Sequence, residues 1–136
     1  MKKVLLGFCV AAFFIACLAA PAEAIAPFGL RWRQKYLTGN KNEEFVKAAR
    51  AANCKICHLA TDKENKENND YGKVVGKFLT KAEFEKLNTN IEASKKYILE
   101  GLEKAEAEKA ADGTTYGERI KAGKLPVEQE ASNEKK

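Results

Sequence analysis

Apolar positions along the chain form one unbroken block near the start and then several short sets spaced for helices. Val4 to Ala20 is apolar and uncharged behind Met1-Lys2-Lys3. Beyond it, Asn40-Lys41-Asn42-Glu43 supplies a helix start, an Asn at the cap with Glu three residues on. Phe45, Val46, Ala49 and Ala52 then share one face, which predicts a helix from Asn40 to Ala52. Thr80-Lys81-Ala82-Glu83 has capping-box spacing and opens a short helix through Phe84 and Leu87. Thr89-Asn90-Ile91-Glu92 opens the longest helix, Ile91 to Ala110, with Ile91, Ile98, Leu102 and Ala105 on one face and Asp112-Gly113 as its stop.

Between these helices, Thr61 to Asp70 holds no apolar residue and reads as a solvated loop. Tyr71-Gly72 leads into Val74, Val75, Phe78 and Leu79, a short buried piece. Tyr116 to Pro126 is a closing segment, and residues 127–136 form a polar, disordered tail. Residues 25–39 carry Phe28, Trp32 and Tyr36 among Arg31, Arg33 and Lys35. They read as an N-terminal arm or short helix held to the body by aromatic packing. No strand alternation interrupts this pattern, so the fold class is all-α, three to four helices with long loops, and the domain proper spans 40–126.

Composition narrows the function classes. The 136 residues allow one domain at most after the first two dozen, too short for a dinucleotide-binding βαβ array or a barrel. The core is thin, and a bound cofactor would help it. Lys and Arg number 24 against 19 Asp and Glu, for a net charge of +5. That basic surplus suits an acidic partner protein; the basic-aromatic arm could stack on nucleic acid, but export argues against that partner.

Export follows from the N-terminus. Residues 1–24 have the basic start, apolar middle and small-residue Ala22-Glu23-Ala24 end of a cleavable signal peptide. Retention of the apolar block as an anchor, or lipoprotein processing before Cys17, are the alternatives. All three send the body across a membrane, to a periplasmic or secreted location or to the outer side of a membrane. Cleavage removes Lys2, Lys3 and Glu23, two positive charges against one negative, and lowers the net charge from +5 to +4. It also removes Met1, Cys9 and Cys17, so the mature chain has no methionine, two cysteines and one histidine.

Those three residues stand together. Cys54-Lys55-Ile56-Cys57-His58 is C-x-x-C-H, the attachment sequence of c-type haem. Two thiols three positions apart on a tight turn can each form a thioether to one haem vinyl group, and the adjoining His58 then faces the iron as proximal ligand. Two other chemistries use the same residues. A Cys54–Cys57 disulfide or redox thiol pair suits an oxidising compartment, although a helix rather than a strand precedes it. Zinc would need a fourth ligand, and the mature chain offers no further Cys or His.

With a helix placed before C-x-x-C-H and a long helix later, the chain resembles the small class I cytochrome c domains. That resemblance implies that the 40–52 helix crosses the 91–110 helix, with Ala48 or Ala49 against Tyr97. C-x-x-C-H followed by Asn69-Asp70-Tyr71-Gly72 and the closing Tyr116-Gly117…Gly123-Lys124-Leu125-Pro126 is also similar to a family of small exported proteins of planctomycete bacteria, which implies export and haem. The departure is the sixth ligand. Class I domains place a Met there, and the mature chain has none. Tyr71, Lys73 and Lys77 are candidates by position alone.

The expected function is thus an exported mono-haem c-type electron carrier with haem c on Cys54, Cys57 and His58. A five-coordinate haem protein that binds a small ligand is the alternative, and a haem-free disulfide module stands behind it. Peroxidase catalysis is not expected, because the single histidine is already used as proximal ligand.

Overall fold

The computed structural model describes residues 25–128. The expected signal segment at 1–24 and residues 129–136 of the expected tail lie outside the described residues. Within them the chain is all-α: α1 (Ala26–Leu37), α2 (Glu43–Ala52), a 3-10 turn (Asn53–Ile56), α3 (Asp70–Phe78), α4 (Lys81–Leu87), α5 (Ile91–Ala107) and α6 (Tyr116–Lys121). Extended pairing among the described residues is confined to two isolated bridges, His58 with Asn68 and Lys109 with Thr115. No helix among them is long and apolar enough to cross a membrane.

Six helices stand where three to four were expected, because the arm, the Tyr71 piece and the closing segment are each helical. Asn69 caps α3 by accepting from the Gly72 amide, and Thr115 and Glu118 form a reciprocal capping box on α6. Pro27 in the first turn of α1 has the backbone angle a helix start needs. Other helix starts shift slightly. Asn42 rather than Asn40 caps α2, accepting from Phe45, while the Asn40 side chain accepts from the Asn42 amide just before it. Asn90, not Thr89, caps α5.

α5 is the axis of the molecule. Ile98, Leu102 and Ala105 are buried on it, and α1, α3, α4 and α6 are its main packing partners. Ile91, placed on the same face by spacing, is exposed at the first position of the helix. The helix also stops earlier than the sequence suggests. Glu108 turns extended, Ala110 donates to Thr114 at 2.8 Å, and Gly113 at φ +85° completes a tight turn instead of a helix end.

α2 is not among the main partners of α5, where the cytochrome resemblance implied a crossing with Ala48 or Ala49 against Tyr97. The Tyr97 hydroxyl instead accepts from the Thr80 amide at 2.8 Å, at the start of α4. The closing segment backs α2. Gly123, at φ +74°, comes so close that a Cβ there would run into the Asn42 carboxamide. The arm is part of the core rather than a cover on it. Trp32 is buried and donates to the Tyr71 hydroxyl at 3.0 Å, and Tyr36 donates to Glu106 at 2.6 Å. Packing likewise continues past the expected domain end, since Val127 rests against the core.

Gly101 sets how closely Leu79 approaches α5. A Cβ at this position would overlap a Leu79 methyl and stand 2.6 Å from Leu79 Cγ. Leu79 is itself buried, so it has no solvent to swing into. Gly101→Ala should therefore lose about 1–3 kcal/mol to overpacking, against a helix-propensity gain of about 1 kcal/mol. Urea unfolding measures the sum, and a rise in the midpoint would mean that Leu79 can give way.

Candidate functional site

The end of α2 makes the site. Asn53 leaves the helix at φ 47°, a left-handed backbone that Asn tolerates better than most residues. Its amide donates back to the Ala49 carbonyl and its side chain accepts from Arg33 at 3.1 Å, which holds the bend. The chain then tightens into the 3-10 turn. The amides of Cys57 and His58 both donate to the Cys54 carbonyl, at 3.2 and 3.0 Å. Cys54, Cys57 and His58 thereby share one hydrogen-bonded turn.

A second element clamps that turn from behind. The Asn69 carboxamide donates to the carbonyls of Lys55 at 3.1 Å, Ile56 at 3.0 Å and His58 at 3.2 Å. Its oxygen accepts from Gly72 at 2.9 Å, and its own amide donates to the Cys57 carbonyl at 3.0 Å. Gly72 permits this approach. A Cβ there would collide with the Cys57 carbonyl oxygen and sit 2.8 Å from its carbon, and backbone cannot swing aside as a side chain can.

The loop between the two is ordered by its charges. Lys55 donates to the Asp62 carbonyl and, at 2.7 Å, to the Asn65 side chain. The Asp62 carboxylate accepts from the amides of Glu67 at 2.6 Å and Glu64 at 3.0 Å, and these bonds, the Glu67 amide foremost, hold it below the usual carboxylate range. What reads as a merely solvated stretch is thus a folded loop that leads His58 to Asn68.

The three site residues differ in environment. Cys54 is exposed. Cys57 is half-buried and packs against the core, and burial, aided by Cys54, pushes its thiol up to about 12. Both are free thiols. Burial lowers the His58 imidazole below its ordinary value, and the Glu67 carbonyl opposes that shift. The ring is held neutral near pH 7, and its buried Nδ1 has no hydrogen-bond partner. A neutral imidazole with an unused nitrogen is the form that ligates a metal.

His58 lines a cleft of about 500 Å³, within the size range of small-molecule and cofactor sites. Leu59 and Ala60 continue its wall, while Tyr116, Arg119 and Pro126 bring the closing segment against it. Neither cysteine lines the cleft. The sixth-ligand candidates are also elsewhere. Tyr71 is fully buried and engaged by Trp32, Lys73 pairs with Asp70 at 3.1 Å, and Lys77 pairs with Glu108 at 3.0 Å. The clamp accounts for Asn69 and Gly72 of the Asn69-Asp70-Tyr71-Gly72 segment. Arg119 carried no signal in sequence, being one basic residue in a short closing segment.

No protein-family model matches the chain, and no curated protein or solved structure matches it either.

Two outcomes follow from this geometry. Asn69→Ala removes a helix cap and strands three carbonyls, and should cost about 2–4 kcal/mol in chemical unfolding; a loss below about 1 kcal/mol would mean that the clamp is dispensable. His58 gives the second. Its folded value lies below the unfolded value of about 6.5, so between the two the unfolded chain binds more protons. Stability is then full above that pH, falls as the pH drops through the window, and is fully lost to this group below the folded value. Thermal melts of wild type and His58→Gln from pH 7.5 to 5 should differ in slope, the variant being flatter.

Proposed function

We propose that the chain is a small exported c-type haem protein that transfers electrons, with one haem c bonded to Cys54 and Cys57 and ligated by His58. The observation that carries this reading is the single turn that holds all three residues, with a neutral imidazole that has one unpartnered nitrogen and lines a cofactor-sized cleft. When bound, the haem supplies a one-electron iron couple; the protein supplies the proximal nitrogen and two covalent attachments. Cys54, exposed on the turn, is accessible to such a group. Cys57, packed against the core, would supply the second thioether.

A second reading has a specific observation behind it. Tyr71, Lys73 and Lys77 are committed to other partners, and the mature chain lacks Met. An iron without a protein sixth ligand would bind a diatomic gas. The reading of an acidic redox partner rests on net charge, since Lys73, Lys77, Lys86 and Lys96 each pair with a carboxylate and mix the surface signs. No residue is assigned a catalytic role. The place of action under this reading is the periplasm or the exterior, which is where haem is attached to such sequences.

Protein exported in a host with c-type maturation machinery should carry haem that survives a denaturing gel. A visible spectrum unchanged by carbon monoxide supports the electron carrier, and one that shifts supports the ligand binder. His58→Ala should keep covalent haem and lose the wild-type axial spectrum. No haem on the gel, together with a Cys54–Cys57 disulfide by mass, would leave the haem-free module.

A further inference from the structure

Among the described residues, two buried side-chain nitrogens have no hydrogen-bond partner, His58 Nδ1 and Arg119 Nε. Both residues line the same cleft. Buried polar groups in folded proteins are nearly always paired, so an orphan marks a side chain whose bonding is incomplete. His58 is accounted for by the reading above. Arg119 is not.

The Arg119 side chain is only 13 % exposed. Its outer nitrogens face Asp112 at 3.6 Å and Glu128 at 3.4 Å, both long for a charge-assisted bond. Asp112 already accepts from the Thr114 hydroxyl at 2.6 Å and amide at 3.0 Å, and Glu128 is 91 % exposed. The guanidinium is positioned yet unsaturated. Its setting is rigid: the Arg119 carbonyl accepts from Lys124 at 2.9 Å, and Pro126 is fully buried beside it. Lys55, the other cation on the cleft, is spent on the Asp62 carbonyl and Asn65. Asp70, also on the cleft, is paired with Lys73.

We infer that Arg119 is the carboxylate-binding residue of this cleft, taking a ligand carboxylate through its outer nitrogens in place of exposed Glu128. Arg is suited to this because its planar fork matches a carboxylate with two parallel bonds. Resting on the haem reading, the inference makes that carboxylate a propionate of the tetrapyrrole. A small free dicarboxylate shares the chemistry and is the other source. The closing segment, which the sequence left without a task, then becomes the second wall of the ligand site.

The test uses the full chain without iron. Mesoporphyrin IX and its dimethyl ester are titrated while emission from Trp32, the one tryptophan, is followed. Wild type should bind the diacid about tenfold more tightly than the ester; Arg119→Gln should erase the preference, and Arg119→Lys should retain part of it. Melting with succinate covers the other source: a rise for wild type and none for Arg119→Gln, without a porphyrin preference, would assign a small dicarboxylate. Circular dichroism reports whether Arg119→Gln is folded; if it is not, Arg119→Lys carries the comparison. Equal binding of diacid and ester with no succinate effect overturns the inference. The haem-stained gel of wild type judges the haem reading separately. Stained haem with no Arg119 effect sinks only the carboxylate site, whereas an Arg119 effect without stained haem sinks only covalent attachment.

Discussion

The arrangement depends on one carboxamide. Asn69 reaches three successive regions of backbone at the cysteine turn and at the same time caps the helix that follows. An amide is the one side-chain group of this length with two donors and an acceptor, so it can meet carbonyls on one side and a helix N–H on the other. The bonds join segments separated by a loop that has no apolar residue beyond Leu59 and Ala60. They join the turn directly to the start of α3. Gly72 completes the join by leaving out the atom that would hold the turn and α3 apart.

Behind this join sits a polar thread in the core. Trp32 donates to Tyr71, Tyr36 donates to Glu106, and the Tyr71 ring tilts against Tyr116 at 4.9 Å. Burial raises both the Tyr36 and Tyr71 phenols above their ordinary value, so they stay protonated and act as neutral hydrogen-bonding groups. Three helices are fixed to each other by directional bonds, where apolar contact alone would leave their rotation loosely set. Tyr116 is the far end of this thread and also a wall of the cleft, so the arm and the cleft share one packed unit.

Local signals in the sequence were legible where a side chain answers its own backbone. Thr80 caps α4, and Phe45, Ala49 and Ala52 are buried on one face of α2, as their spacing indicates. Cys54, Cys57 and His58 fall together because their spacing fits a single turn. What periodicity could not supply was tertiary partnership. It places Ile91 with Ile98 but says nothing of where neighbouring helices end. It offers Tyr71 as a possible ligand, whereas the ring is consumed by Trp32, 39 residues away. The end of α5 was misplaced because Gly113 has the same left-handed backbone in a helix cap and in the turn that actually uses it. Arg119 was silent because an unsaturated guanidinium is a property of its surroundings.

The central place of α5 has a consequence for the order of events when the chain is made. Among the described residues, four of the five other helices rest mainly on a helix that begins at Ile91, and α2 is backed by Gly123. A nascent chain that has delivered everything up to α4 still lacks the surface against which those parts are stable. Closure of the early segments over α5 must await late residues, and such non-local contacts form slowly. Until that closure the cysteine turn and its neighbours are open to enzymes that a finished domain would exclude, and modification of the two thiols is easiest before the fold closes.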